Sequence, residues 1–177
     1  MDTEIIKIHP GEDPVSEEDD VKLRAAGEIL KKGGLVAFPT ETVYGLGGDA
    51  QNPTSSQKIY AAKGRPSDNP LIVHIFRFED IYKITRKVPE EARKIADAFW
   101  PGPLTMILPK SEEVPYETTG GLDTVAVRMP SDPVANRLIR LAGVPVAAPS
   151  ANTSGRPSPT TAQHVWQDME GKIEMIL

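Results

Sequence analysis

The chain has 177 residues, of which 39% are hydrophobic and 25% charged, as in an ordinary globular domain with its own core. No segment approaches the about 18 consecutive apolar residues of a membrane-spanning helix, and the lack of cysteine excludes disulfides and thiolate chemistry. The net charge is −5, but eight acids and one base lie in residues 1–20, so the remaining 17 acids and 19 bases give +2. This small positive net charge suits a pocket for a small anion better than a surface that binds nucleic acid.

Hydrophobic periodicity and capping residues predict alternating strands and helices. Ser16 followed by Asp19 resembles a capping box at the start of the first helix, which Gly33 ends. Pro53 precedes the second helix and Gly64 closes it. In chain order, the predicted elements are a strand at 4–8, the helix ending at Gly33, strands at 35–38 and 42–46, the helix closed by Gly64, a strand at 71–75, helices at 78–85 and 90–99, strands at 104–108 and 124–129, a helix at 133–142, a strand at 144–148, a helix at 160–170 and a strand at 173–177.

This order predicts one α+β domain over residues 1–177, with a sheet flanked by helices and an acidic lead-in at residues 1–20. Several consecutive strands have no helix between them, so we expect a mixed sheet and not an all-parallel one. The strand at 173–177 is followed by no turn or cap, so few residues would hold it in register. The acidic residues 1–20 lack the apolar stretch of a secretory signal, and we expect a cytoplasmic protein.

The familiar nucleotide-binding signatures are absent or incomplete. No G-x-x-x-x-G-K-[ST] sequence is present, which excludes a P-loop enzyme. Residues 45–50, GLGGDA, fit the dinucleotide pattern G-x-G-x-x-[GA], but Asn52 and Pro53 interrupt the helix that should follow, and Arg65 stands where an acid is expected. Glycines of tight turns explain the stretch better. No spacing typical of a metal site is shown by the three histidines, His9, His74 and His164.

Two polar clusters mark the first half of the chain. PTETVYGL at residues 39–46 places hydroxyls and a carboxylate between two predicted strands. KGRP at 63–66 is followed by NPLIVH at 69–74. Lys63 and Arg65 flank a glycine at a helix end, where they could bind the last helical carbonyls or clamp a phosphate or carboxylate.

Two further clusters lie in the second half. Arg128 interrupts an apolar strand, and a charge there is costly unless it meets an internal acid or an anionic ligand. Residues 149–158 follow a buried strand with hydroxyls, an amide and a glycine, which is a natural place for a ligand. The four clusters offer cations, hydroxyls and amides, with no evident metal cluster or nucleophile–base pair. They indicate an enzyme that binds an anionic substrate and works by positioning and electrostatics.

In this order and spacing, the clusters resemble the YrdC-like family of L-threonylcarbamoyladenylate synthases. The resemblance extends from about residue 20 to the end of the chain, and its motifs are PTETVYGL (39–46), KGRP (63–66), NPLIVH (69–74), PGPLT (101–105), VRMP (127–130) and SANTSGRP (150–157). The set is specific, although each motif alone is weak. The resemblance implies an α/β sandwich with a twisted mixed sheet, of the YrdC/RibB-like type, and an open, positively lined cavity.

The resemblance also implies an activity. Family members condense L-threonine, bicarbonate and ATP into threonylcarbamoyl-AMP and pyrophosphate, with Mg²⁺ held by the substrate phosphates. The downstream tRNA threonylcarbamoyl-transfer machinery then modifies an adenosine beside the anticodon. Weak direct binding of RNA is left open, and no membrane is involved.

By position in the motifs, the resemblance implies that catalytic roles near the carbamate and the ATP phosphates fall to Lys63 and Arg65. The ATP side, which includes Arg65, would also contain Asn69, Thr124, Ser150 and Ser158. The threonine side would contain Thr42, His74, Ala148 through its backbone, and Arg128, which matches the carboxylate. Three more residues would lie near the site, namely Thr40, Tyr44 and Asn152.

Two other functions stay open from the sequence. YrdC-like domains also occur in carbamoyltransferases of hydrogenase maturation, whose carbamoyl adenylate carries no threonine; His74 and Arg128 favour threonine without settling it. A non-catalytic RNA-binding module is the second alternative. Family members usually continue past the equivalent of Leu177 with a strand and an ATP-binding arginine, and this C-terminal extension is absent. On that pattern, we expect the chain to bind threonine measurably but ATP poorly.

Overall fold

The computed structural model describes all 177 residues and contains one sheet of eight short strands. The strands are β1 (Glu4–Ile5), β2 (Val36–Phe38), β3 (Gly45–Asp49), β4 (Ile72–His74), β5 (Thr105–Pro109), β6 (Thr124–Arg128), β7 (Val146–Ala147) and β8 (Met175–Ile176). Their order across the sheet is β1-β8-β2-β3-β7-β4-β6-β5. All eight predicted strands are present, although most are shorter than predicted.

Seven α-helices connect the strands: α1 (Glu17–Lys31), α2 (Pro53–Lys63), α3 (Ile81–Ile84), α4 (Glu90–Phe99), α5 (Tyr116–Thr119), α6 (Pro133–Ala142) and α7 (Ala162–Met169). The bounds of α4 and α6 agree with the sequence prediction to the residue. The helix predicted at 78–85 is divided into a 3₁₀ turn, Phe78–Asp80, and α3, and α5 was not predicted. None of these helices combines the length and apolar character needed to cross a bilayer.

The sheet is mixed, as predicted. Strand β8 is parallel to both β1 and β2, and β4 is parallel to β6, whereas the other neighbouring pairs are antiparallel. The expectation that residues 173–177 would be poorly held is wrong, because Met175 pairs with Glu4 on one side and Val36 on the other. The acidic N-terminal segment is therefore part of the fold, since it supplies strand β1 to this sheet.

The two faces of the sheet pack against different helices. In β2, Val36 and Phe38 belong to a cluster of 14 buried side chains that includes residues of α1 and α6. Ala37, which points to the opposite face, belongs to a cluster of 26 that includes residues of α2, α4 and α7. This alternation gives a sandwich of helices, sheet and helices, the α/β arrangement expected from the sequence.

The predicted helix ends are largely confirmed. The hydroxyl of Ser16 accepts a hydrogen bond from the Asp19 N–H at 3.2 Å. The Asp19 carboxylate does not complete the capping box, because it accepts from the His9 N–H at 2.8 Å. Gly64 ends α2 in the left-handed conformation, with φ of 61°.

The glycines of residues 45–50 form strand β3 and no phosphate-binding loop, so the dinucleotide pattern is coincidental. The expectation that they serve tight turns is also wrong. A Cβ atom on Gly47 would lie 2.7 Å from the Phe38 ring, and one on Gly48 would lie 3.0 Å from Ile59. The strand requires glycine because the buried Phe38 and Ile59 side chains approach its backbone closely.

Candidate active site

A cavity of about 120 Å³ lies where β4 and β6 end. The parallel pairing of these strands sets His74 beside Arg128, and the antiparallel partner β7 leads directly into Ala148. Six of the predicted site residues line the cavity, namely Thr40, Tyr44, His74, Arg128, Ala148 and Ser150. The fold thus brings together most of the predicted threonine side, with Ser150 from the predicted nucleotide side.

The Arg128 side chain enters the cavity wall from the end of β6 and is only 10% exposed. Its Nε atom donates to the Gly102 carbonyl at 3.3 Å, and Nη1 donates to the Thr42 hydroxyl at 3.4 Å. Its Nη2 atom forms an ion pair with Oε1 of Glu41. Of the two sequence-based alternatives for Arg128, the structure therefore contains the internal acid.

The partner of Arg128, Glu41, is the most informative residue that the sequence analysis did not select. Its second oxygen, Oε2, accepts hydrogen bonds from the N–H and the hydroxyl of Ser131, and from the Asp132 N–H at 3.2 Å. Glu41 lies within the PTETVYGL motif, so a signal was present. The sequence offered no means to connect this carboxylate with an arginine in a distant strand.

The imidazole of His74 is buried and uncharged at neutral pH. The residue is 2% exposed, and burial lowers the pKa of the ring to about 4. The Nδ1 atom lies 3.2 Å from the Ile72 carbonyl, which can only accept, so Nδ1 carries the proton when this bond forms. His74 consequently offers the cavity a neutral hydrogen-bonding ring.

The Lys63 side chain connects the end of α2 to the 150–157 loop. Its Nζ atom donates to the carbonyls of Ser150 and Asn152, the latter at 2.7 Å, while the Ser154 N–H donates to the Lys63 carbonyl at 2.8 Å. Burial and, second, the charge of Arg65 lower the pKa of Lys63 to about 8, so the ammonium form still dominates at pH 7. Lys63 thus secures the wall of the cavity at Ser150.

Arg65 holds the turn that leads into β4. Its Nε donates to the Asn69 carbonyl at 3.2 Å and its Nη2 to the Pro70 carbonyl at 2.9 Å, which leaves Nη1 without a protein partner. Backbone N–H groups, and neither cation, bind the last carbonyls of α2. The helix-capping interpretation of Lys63 and Arg65 is therefore wrong.

The predicted nucleotide residues Arg65, Asn69 and Thr124 lie at the other end of β4 and β6. Ile72 pairs with Ala126 in the parallel register, which brings Thr124 level with the residue before Leu71. Thr124 and Arg128 are four residues apart on one strand, a separation of about 13 Å. This distance separates the predicted nucleotide side from the threonine side.

Ser158 and Asn152 also lie outside the lining of the cavity. Ser158 is exposed and lines a separate groove of about 450 Å³ beside α7. The amide of Asn152 is buried and donates to the carbonyls of Thr153 and Arg156, at 2.9 and 2.8 Å, so it stabilises the 150–157 loop. The same loop is held by Asp168, which sequence reasoning missed; it accepts from the Thr153 N–H at 2.9 Å and also binds Arg156.

The spacing of the three histidines in the sequence predicts no metal site, but the structure places one of them in a group of potential ligands. The potential ligand atoms of His9, Glu12 and Asp19 lie within 4.8 Å of one another in the N-terminal segment. Asp19 is the buried member, and its carboxylate already accepts from the His9 backbone N–H and contacts the His9 ring at 3.1 Å. These hydrogen bonds account for the proximity of His9 and Asp19.

Comparison with known proteins identifies the family. The model of the Sua5/YciO/YrdC family, described as telomere recombination, matches residues 28–177. This chain belongs to that family. Two relatives named threonylcarbamoyl-AMP synthase are 57% identical over 159 residues in Pyrococcus abyssi (strain GE5 / Orsay) and 52% identical over 160 residues in Bacillus subtilis (strain 168). Each alignment covers 90% of this chain, but 47% and 46% of the respective relative.

A solved relative agrees with the fold of this Sua5/YciO/YrdC domain. The crystal structure of P. abyssi Sua5 complexed with L-threonine superposes with a TM-score of 0.88 and 52% identity. The superposition covers 98% of this chain and 48% of the Sua5 chain. The chain therefore spans about half the length of these relatives. The family resemblance and α/β sandwich predicted from the sequence are confirmed.

Proposed function

We propose that this chain carries the active site of an L-threonylcarbamoyladenylate synthase, which converts L-threonine, bicarbonate and ATP into threonylcarbamoyl-AMP and pyrophosphate. The observation that carries the proposal is the 57% identity to a threonylcarbamoyl-AMP synthase over 90% of this chain. A relative that was crystallised with L-threonine, and that is 52% identical, supports the choice of amino acid. The cavity beside His74 and Arg128 supplies a place for it.

The proposed reaction has two chemical steps. The threonine amine captures carbon dioxide, supplied by bicarbonate, and forms a carbamate. A carbamate oxygen then attacks the α-phosphorus of ATP, and pyrophosphate leaves. The attacking group belongs to the substrate, so the protein needs no nucleophile of its own and contributes by positioning and by stabilising charge.

At the threonine end, Arg128 is proposed to bind the substrate carboxylate through its guanidinium fork. The neutral His74 ring offers a hydrogen bond without placing a second positive charge beside the threonine amine. That amine must lose a proton before it can react, and its lone pair can then attack carbon dioxide. The Ala148 backbone and the Thr40 and Thr42 hydroxyls complete this end.

At the nucleotide end, the free Nη1 of Arg65 and the ammonium of Lys63 are proposed to stabilise the charge that develops on the phosphoryl oxygens. Neither cation has a carboxylate within 4 Å. A magnesium ion prefers oxygen ligands such as carboxylates and phosphates. These two cations offer it none, so Mg²⁺ is proposed to belong to the MgATP substrate. Asn69, Thr124, Ser150 and Ser158 are proposed to contact the nucleotide.

The product is an activated intermediate, so a transferase of the tRNA threonylcarbamoyl-transfer machinery is the proposed consumer. A cytoplasmic location belongs to the same proposal. The net charge of residues 21–177 is only +2, which gives little support to direct binding of tRNA.

Pyrophosphate release from ATP is the deciding experiment. We expect release to require both L-threonine and bicarbonate, and radioactive bicarbonate to enter an adenylate that also contains threonine. Serine, which lacks the methyl group, and alanine, which lacks both the methyl and the hydroxyl group, serve as comparison amino acids. Release without threonine would favour a carbamoyl adenylate of the hydrogenase-maturation type. No release by this chain, with full release by a longer relative assayed in parallel, would contradict the proposal that the chain carries the active site.

A further inference from the structure

Glu41 occupies the position on Arg128 that the carboxylate of an amino-acid substrate needs. Its Oε1 atom pairs with Nη2 of Arg128, whose other nitrogens bind Gly102 and Thr42. An arginine in this position cannot form a bidentate pair with a second carboxylate while Glu41 remains. We propose that Glu41 is an internal competitor that holds Arg128 until the threonine carboxylate displaces it. The inference rests on the proposed function and adds a residue that sets threonine affinity.

The surroundings of Glu41 keep the free energy needed to separate it from Arg128 small. Its other oxygen, Oε2, is bound by Ser131 and by the Asp132 N–H, immediately before α6 begins at Pro133. The helix dipole favours a negative charge at this end, where the Asp132 carboxylate already binds the N–H groups of Val134 and Ala135. When Arg128 is taken by substrate, the Glu41 carboxylate keeps its own hydrogen bonds. Its side chain is also 21% exposed, so water can reach it.

The arrangement gives Arg128 a partner in both states of the site. Arg128 is buried, and an unpaired guanidinium would be costly in the empty cavity. Exchange of one carboxylate for another keeps this charge compensated before and after binding. Ligands without a carboxylate cannot take part in the exchange. Glu41 therefore lowers affinity for threonine while it makes binding depend on the carboxylate group.

Replacement of Glu41 by an uncharged residue of the same shape tests the inference. We expect Glu41→Gln to bind L-threonine more tightly, by about five-fold, because a partly exposed ion pair no longer has to be broken. L-threoninamide, which lacks the carboxylate, should bind both proteins equally. Glu112→Gln removes the same charge from an exposed position and should leave both affinities unchanged. Isothermal calorimetry on the full chain measures all six combinations.

Each outcome of the calorimetry decides the inference. Equal or weaker threonine binding by Glu41→Gln would overturn it, and would indicate that Glu41 only supports the 39–46 segment. An equal gain for threonine and threoninamide would overturn it as well, because carboxylate competition would then play no part. If the unaltered chain and both variants fail to bind threonine while folded, the proposed function itself fails for this chain, and the inference with it.

A second measurement uses the unaltered chain and remains valid if Glu41→Gln does not fold. The ¹³C resonance of the Glu41 carboxyl group should shift on titration with L-threonine, and the shift should saturate at the calorimetric Kd. Titration with L-threoninamide should leave it in place. A Glu41 resonance that does not respond to saturating threonine would overturn the inference.

Discussion

Arg128 and Lys63 are both nearly buried cations of the candidate site, but only Arg128 is paired with a carboxylate. Lys63 is 2% exposed and donates to two backbone carbonyls, and Arg65 beside it donates to two more. Carbonyl oxygens satisfy the N–H groups of these residues but carry no net charge. The two ends of β4 and β6 therefore differ in their ion pairs: a carboxylate compensates the cation at the Arg128 end, whereas the two cations at the positive, Lys63 end have none.

This difference matches the charge of the ligands proposed for each end. An amino acid carries one carboxylate, so a compensated arginine can exchange one carboxylate for another and remain paired in both states. The triphosphate of ATP carries several negative charges. An uncompensated pair of cations attracts it and offsets the electrostatic repulsion among its phosphate groups. We therefore expect substitutions at the two ends to have effects of different size and to affect different substrates.

The largest effect is expected at the positive end. Arg65→Ala should lower the rate of threonine-dependent pyrophosphate release by about 10²–10³-fold, because a donor to the developing phosphoryl charge is lost. Steady-state assays with varied ATP and with varied threonine measure it. Arg86→Ala removes an exposed arginine and serves as the control. Near-normal activity with an unchanged melting temperature would show that Arg65 only holds the Asn69–Pro70 turn.

Lys63→Met should reduce the free energy of unfolding by about 3 kcal/mol, because the carbonyls of Ser150 and Asn152 would lose their buried donor. Methionine retains much of the apolar stem, so the loss reports on the ammonium group. Urea denaturation measures the effect, with Lys94→Met at an exposed position of α4 as the comparison. Equal stability of the two variants would contradict the structural role assigned to Lys63.

At the compensated end, Arg128→Met should weaken threonine binding by about 30-fold and leave ATP binding nearly unchanged. The expected loss is smaller than at Arg65, because the intact Arg128 must release Glu41 before it gains a substrate carboxylate. The threonine-dependent increase in melting temperature should disappear. An increase of normal size in the variant would mean that Arg128 serves only its pair with Glu41.

Much of the fold could be predicted from sequence because its signals are local. Helices α4 and α6 have clear starts and ends, and their bounds were predicted to the residue. Strand β3 was placed too early, since glycine has low strand propensity and its presence is explained only by the approach of Phe38 and Ile59. The position of β8 between β1 and β2 depends on pairing across the whole chain, which no local pattern contains.

The candidate site shows the same division between local and distant information. Motifs indicated which residues converge, and six of them line one cavity. The partners of these residues could not be predicted, because Glu41 meets Arg128 and Lys63 meets the Ser150 carbonyl only after the sheet has assembled. Choosing between an internal acid and a ligand for Arg128 required the structure, which contains the internal acid.

The smallest effect is expected at His74, which contributes no charge to either end. Its folded pKa of about 4 lies below the usual value of 6.5, so the unfolded chain binds a proton that the folded chain excludes between these values. Stability is therefore lost as pH falls from 6.5 towards 4 and does not depend on His74 above this range. Between pH 7.5 and 5.5, the contribution should be about 1 kcal/mol.

Urea denaturation at pH 7.5 and 5.5 tests this expectation in the unaltered chain, His74→Asn and the exposed control His164→Gln. The drop in stability should be smaller in His74→Asn by about 1 kcal/mol and unchanged in His164→Gln. Equal drops in all three proteins would mean that the buried ring titrates as it does in the unfolded chain. A charged imidazole beside Arg128 would then place two positive charges at this end, and the comparison between a compensated and a positive end would no longer hold.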